Sequence, residues 1–459
     1  MTCKDDALMS RRKMLMSSTG TAAIAAAFSF PASAQATQAP VTRPVNKRSA
    51  PSDLKITDMR ACTVAANYDY PIIRIDTNQG IYGLGEVRDA GVKGIALILK
   101  AHIVGKNPLE IDNILRGIRQ FANHGRMGGG YSAVDMALHD IAGKVYGVPA
   151  WQLIGTKHRD RIRLYCDTTG HKDPKIYGDR MAARKKMGFT FFKMDLYTSM
   201  VRDRPGAVNA SGAATEKGLG YLCEYIQAVR DAVGWDAPLA ADHFGRLSVN
   251  DCIRYARAFE PYQLAWAEDI QLNWKDWRGY KEIRAATTTP ILTGEDIFGL
   301  EEGFQVLIDN DAVDIIHPDP ETSGALRETK RIADYADMRG IPTAVHFAGS
   351  PVGCMASVHM AATIRNFVAM ENHAVDMPWW GDLVTGPAKP IVQDGYIPVP
   401  DTPGLGVELN EEVVRKYLRY PGYFEPTPMY DDFIVSGFRR VGPWWHYDED
   451  GKYGNTMTY

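Results

Sequence analysis

The sequence predicts an α/β chain: a closed (β/α)8-type barrel carrying a smaller α+β lid. Three observations predict it. From about Arg161 onward, short apolar runs alternate with helical patterns, the βαβα rhythm of a parallel sheet. Eight such runs follow one another ("RIRLYCD", "FTFFKMD", "APLAADHF", "LAWAEDI", "PILTGED", "VDIIHPD", "IPTAVHF" and "NFVAMENH"), a number that suits a barrel better than an open doubly wound sheet. No GxGxxG follows the early strands, which argues against a dinucleotide-binding fold.

Residues 1–34 contain Arg11-Arg12, an alanine-rich stretch and a small-residue Ala32-Ser33-Ala34 site. This order fits a twin-arginine export signal and a periplasmic destination. The stretch is too short and too rich in Ala and Ser for a membrane span. Residues 35–53 read as a polar, Pro-containing linker. Residues 54–160 read as the lid. Strand-like runs come first, with a turn at Asn78, Gln79 and Gly80. A helix follows, with Ala133, Met136, Ala137, Ile141 and Val145 at helical spacing and a stop at Gly147 before Pro149. The barrel takes residues 161–375. Residues 376–459 follow the barrel and end in an aromatic tail, which with Trp379-Trp380 is read as packing.

Composition narrows the partners. The 459-residue chain is 45% hydrophobic and 23% charged with a formal charge of −3, so it carries no basic footprint for nucleic acid. The expected partner is a small molecule, with no membrane contact in the mature form. The six cysteines lack CxxC spacing, which predicts neither a disulfide framework nor a zinc site.

The polar residues that close the runs carry the chemistry. Lys193, Asp242, Glu268, Glu295, Asp319, His346 and Glu371 are separated by 49, 26, 27, 24, 27 and 25 residues. After a first gap of about two units, each step is one strand plus one helix. The strand ends of a barrel share one mouth, so these groups are expected around one opening. Asp242, Glu268 and Glu295 converging without a cation would repel one another. An oxygen-only set without Cys suits Mg²⁺. Asp296, one residue beyond Glu295, is expected to point away. Asp319 and His346 end adjacent strands, so the carboxylate can fix the imidazole tautomer and make His346 a general acid/base. Glu371 can meet a substrate carboxylate or hydroxyl. Lys193 can neutralise a bound carboxylate or act as a base, and Asp195 shares its face. His317 and His373 have no such neighbour in the pattern and are read as packing residues.

Taken together, "AADHFG", "AWAEDI", "TGEDIFG", "HPDP", "AVHF", "AMENH" and the closing "DGYIPVPDTPGLGVELNEE" resemble the enolase superfamily. The likeness is to its mandelate racemase/muconate lactonizing enzyme group, nearer the acid-sugar dehydratases than the racemases, and runs from about Leu54 to about Tyr417. It implies that Asp242, Glu268 and Glu295 bind Mg²⁺, that Asp319 and His346 form the dyad, and that Glu371 faces the substrate carboxylate. It further implies that the lid loops around Tyr68 and Tyr131 ("NHGRMGGGY") contact substrate, and that the protein forms a homo-oligomer.

Two departures shape the expectation. Racemases of the group carry Lys-x-Lys where this chain has Lys193-Met194-Asp195, which argues against a two-base racemase. Some dehydratases place a His two residues after the first metal ligand; here Phe244 stands there, with His243 beside Asp242. The second base is then Lys193, His243 or none. The resemblance implies removal of a proton α to a carboxylate, with His346 helping a β-hydroxyl leave as water to give a 2-keto-3-deoxy acid. An epimerase, racemase or cycloisomerase is the near alternative, and a non-catalytic sugar-acid binder the distant one.

Overall fold

The computed structural model describes residues 53–431. The expected export signal, the linker up to residue 52 and the tail beyond residue 431 lie outside the described residues. The lid opens with a three-stranded antiparallel meander, β1 (Ile56–Ala65), β2 (Asp69–Thr77) and β3 (Tyr82–Glu86). The helix Gly129–Tyr146 lies against it and ends at Gly147 in the left-handed conformation (φ 72°), as the Gly/Pro stop predicts. A Cβ on Gly83 or Gly85 would come within 2.0 Å of the Ala137 or Ala133 carbonyl oxygen. Only glycine in β3 lets the helix backbone lie directly on the strand.

The barrel strands are β4 (Arg161–Thr168), β5 (Phe192–Asp195), β6 (Leu239–Asp242) and β7 (Trp266–Glu268), then β8 (Ile291–Thr293), β9 (Ile315–Ile316), β10 (Thr343–Val345) and β11 (Phe367–Asn372). Each pairs in parallel with the next, and β11 closes on β4. All eight runs of the sequence become strands. The long interval between Lys193 and Asp242 contains no additional barrel strand. β5 pairs directly with β6, and the interval holds a long loop and the 18-residue helix Glu216–Val233.

One buried cluster fills the barrel: Tyr165, Phe191, Ala240, Trp266, Leu292, Ile315, Ala344 and Ala369, one from each strand or the residue just before it. Aromatic rings pack on one side, with Phe191 4.9 Å and Tyr165 5.4 Å from Trp266. After the barrel the chain returns to the lid, where the Ala65 and Arg419 amides donate to the Tyr417 and Thr63 carbonyls at 2.7 and 2.8 Å. The tryptophan pair packs as expected: Trp379 stacks on Tyr417 at 3.8 Å and Trp380 donates to the Gly349 carbonyl at 3.0 Å. The cysteines among the described residues are free and mostly buried. No helix among them is long and apolar enough to cross a membrane.

Candidate active site

Side chains alternate along a strand, so the residue two beyond each member of the apolar cluster also points inward. Those residues are Asp167, Lys193, Asp242, Glu268, Gly294, His317, His346 and Glu371. One step of the pleat converts a dry core into a ring of charge at the carboxyl ends of the strands. Gly294 interrupts the ring: a Cβ there would stand 2.7 Å from the Phe304 ring and 3.1 Å from the His317 backbone. The acid of β8 therefore comes one residue later, as Glu295. Asp319, Asp195 and His373 form the next tier, two residues above His317, Lys193 and Glu371.

The structure brings Asp319 and His346 together, Oδ2 to Nδ1 at 2.5 Å. The other nitrogen, Nε2, lies 3.0 Å from Glu295 Oε2 and 3.6 Å from Glu371 Oε2. Burial pulls His346 down, but Glu295, Glu371 and Asp319 outweigh it and hold the imidazole well above its ordinary range. Lys193 is fully buried, with Nζ 2.5 Å from Glu371, 3.1 Å from Asp242 and 3.4 Å from Glu268. Its ammonium is tied to three of the protein's own acids. These acids override burial and raise it well above its usual value.

The expected trio Asp242, Glu268 and Glu295 ends three adjoining strands, but its oxygens do not close into one set within 4.8 Å. Lys193 sits beside Asp242 and Glu268, while Glu295 pairs with His346 at 3.0 Å and Arg88 at 3.4 Å. Burial and then Asp242 raise Glu268 well above its ordinary value, against the pull of Lys193. Asp269, whose carboxylate accepts from Thr293 Oγ1 at 2.5 Å, is raised by burial and by Glu295, Asp242 and Glu268. Four repelling carboxyl groups at one place are a donor set that fits a hard dication.

Two histidines read as packing residues belong to the site. His317 Nε2 is 2.7 Å from the Tyr165 hydroxyl and Nδ1 is 3.2 Å from Glu268, while burial lowers it to about 3, the neutral form. His373 lies 3.0 Å from Glu371 and 3.4 Å from Asp167. Burial lowers it, but those acids outweigh burial and bring it to about 8. The pairing of each ring depends on a neighbouring strand, so inspection of its own run missed it; counting two residues on from each buried core position would have found His317.

At the rim, His243 stacks on Tyr197 at 5.1 Å with Nε2 3.7 Å from both Asp195 and Asp242. Asp195 is raised to about 7 by burial and by Asp167. Tyr68 reaches the mouth from the lid, edge-on to His373 at 5.9 Å. Tyr131 does not join them. It packs edge-on to Phe298 at 5.3 Å in the lid core. Asp296 points to the lid loop, 3.1 Å from Arg126, as alternation predicts.

Sequence reasoning missed Arg88. It follows β3, is fully buried, and reaches from the lid to Asp319 Oδ2 at 2.5 Å and Glu295 Oε1 at 3.4 Å. In "EVRDAG" it reads as a turn cation, and nothing local says that the turn abuts the barrel mouth.

A lidded (β/α)8 barrel with acid/base groups gathered at the strand carboxyl ends defines a barrel enzyme. The chain belongs to the mandelate racemase/muconate lactonizing enzyme group of the enolase superfamily. Residues 38–155 match the family's N-terminal domain and residues 177–413 its enolase C-terminal domain-like module. A D-xylonate dehydratase of Haloferax volcanii is 34% identical over 382 residues, covering 81% of this chain and 91% of the relative. The crystal structure of an enolase from Pantoea ananatis with bound D-gluconate and Mg superposes with a TM-score of 0.69 at 28% identity, covering 80% of this chain and 96% of that one. A 3,6-anhydro-D-galactonate cycloisomerase from Zobellia galactanivorans also has a TM-score of 0.69, at 26% identity, covering 80% of this chain and all of that one.

Proposed function

We propose that the protein is a Mg²⁺-dependent dehydratase of a sugar acid, converting it to a 2-keto-3-deoxy acid. The observation that carries this reading is the Asp319–His346 pair facing the acid ends of β6, β7 and β8. Its relatives named as dehydratases support the leaving group. Asp242, Glu268 and Glu295 would hold the Mg²⁺. When bound, the ion supplies positive charge to the substrate carboxylate as negative charge builds there. Asp319 fixes the Nδ1 side of His346, leaving Nε2 to work on the α-proton. Arg88 shares Asp319 Oδ2 with His346, the Glu321 amide donates to the other oxygen, and Lys193 holds Glu371 ionised. Tyr68, Asp195 and His243 stand at the rim, where substrate hydroxyls would be read. Expulsion of the β-hydroxyl as water needs a proton delivered to that oxygen.

A panel of aldonic and uronic-derived acids with Mg²⁺, assayed for 2-keto acid with semicarbazide, tests the reading. Turnover of an aldonate supports it. Proton exchange in heavy water with no keto acid from any member would favour an epimerase or cycloisomerase, a reading to which the cycloisomerase likeness gives some support. Arg11-Arg12 and Ala32-Ser33-Ala34 support export. Changing both arginines to lysine should retain the protein in the cytoplasm, and periplasmic recovery of that variant would overturn the twin-arginine route.

A further inference from the structure

We propose that His373, held by Asp167, protonates the departing β-hydroxyl while His346 works at the α-carbon; this rests on the dehydratase reading above. Other candidates for the second proton-handling group are less well placed. Lys193 is committed to three carboxylates between 2.5 and 3.4 Å away. His243 sits half-exposed at the rim, flat against Tyr197, and no nearer than 3.7 Å to either acid beside it. His373 has a carboxylate beside each nitrogen, Asp167 3.4 Å from Nδ1 and Glu371 3.0 Å from Nε2, and acts as the acid when Nε2 turns from Glu371 to the substrate oxygen.

The geometry joins the two imidazoles. His373 lies one tier above Glu371 on the same inward face of its strand, with Nε2 3.0 Å from Glu371 Oε1. His346 approaches the other oxygen of that carboxylate at 3.6 Å. One ligand atom from each of His346, Glu371 and His373 falls within 4.8 Å of the others, so a vicinal CH–COH unit can address both rings. Asp167 lies 3.4 Å from His373 Nδ1 on the neighbouring strand β4, which closes the barrel there. Tyr68, from the lid, stands edge-on to the ring and closes the pair from above. The mouth thus carries two imidazole–carboxylate pairs: Asp319–His346 on β9 and β10, and Asp167–His373 on β4 and β11.

The step balances. His346 Nε2 takes the C2 proton, the C2–H electron pair first delocalises into the substrate carboxylate, and it then becomes the C2–C3 double bond. The C3–O bond breaks with its pair to oxygen, and the Nε2 proton of His373 joins that oxygen to release water. Tautomerisation of the enol resets both rings, as His346 returns its proton to C3 and His373 takes the enol hydroxyl proton.

The test uses the full-length protein with Mg²⁺ and D-xylonate and D-gluconate as probes, in heavy water. Keto acid is read with semicarbazide, and deuterium at C2 of unreacted substrate by proton NMR. His373→Gln should lose dehydration by about 10²-fold or more while still incorporating deuterium. Asp167→Asn should show a smaller loss with the same split. His346→Asn should lose both readouts. Dehydration by His373→Gln within about twofold of wild type would overturn the assignment. So would a parallel loss of exchange and dehydration in His373→Gln, which marks a structural role. If His373→Gln does not fold, Asp167→Asn decides by the same criterion. A wild type that neither exchanges nor dehydrates the probes overturns the reading of the whole site; a failure confined to the variants overturns this proposal alone.

Discussion

Two layers of one barrel, two residues apart on every strand, do opposite work. The lower layer, from Tyr165 to Ala369, is apolar and dry. The upper layer carries Asp167, Lys193, Asp242, Glu268, His317, His346 and Glu371, most of them equally buried. Burial depth is therefore not what separates core from site. The lower layer lowers free energy by removing apolar surface from water. The upper layer holds ionisable groups whose state follows burial and partners: despite burial, Lys193 holds Glu371 low and Glu295 with Asp319 holds His346 high, whereas burial pushes His317 down and Glu268 up. Substitutions in the lower layer should cost stability, and substitutions in the upper layer should cost activity.

The largest expected effect lies in the upper layer. His346→Asn should reduce kcat by about 10²–10⁴-fold with little change in melting temperature. Full activity in this variant would remove the residue from the mechanism. In the lower layer, Phe191→Ala should cost about 3–5 kcal/mol in denaturant unfolding, the usual range for emptying a buried aromatic site. Folded Phe191→Ala should keep its kcat, and a loss of kcat greater than its loss of folded protein would blur the division between layers.

A smaller effect should follow from the ion. Mg²⁺ at a hundred times its dissociation constant should stabilise the fold by about 2.7 kcal/mol, read as a rise in melting temperature. Asp242→Asn should abolish most of that rise, and an undiminished rise would place the ion elsewhere.

The smallest effect concerns a buried acid outside the layer. Glu86, at the end of β3, accepts from the Ser350 and Gly353 amides at 2.8 and 2.9 Å but forms no ion pair among the described residues, and burial pushes it up to about 7. Glu371, which has Lys193, is held well below its usual range despite burial. A raised acid binds its proton more tightly in the folded chain than in the unfolded one, where it titrates near 4.5. Its contribution to stability is therefore full below pH 4.5 and lost as pH rises through about 7. Glu86→Gln should flatten that part of the stability–pH curve, and an unchanged slope would assign it to other groups.

The barrel and its charged mouth were legible because both depend on local periodicity. Runs spaced one strand and one helix apart must bring their ends to one mouth, and alternation must turn every second side chain inward. The sequence by itself therefore determined the architecture, the strands that carry Asp242, Glu268, Glu295, Asp319, His346 and Glu371, and the outward turn of Asp296. Tertiary structure decided what each of these groups touches. It tied Lys193 into its carboxylates, paired His373 with Asp167 across the closing seam of the barrel, brought Arg88 from the lid onto Asp319, and left Tyr131 in the lid core. Those contacts join residues far apart in the chain through the pairing of β11 with β4 and the docking of the lid, and short-range pattern carries no record of such distances.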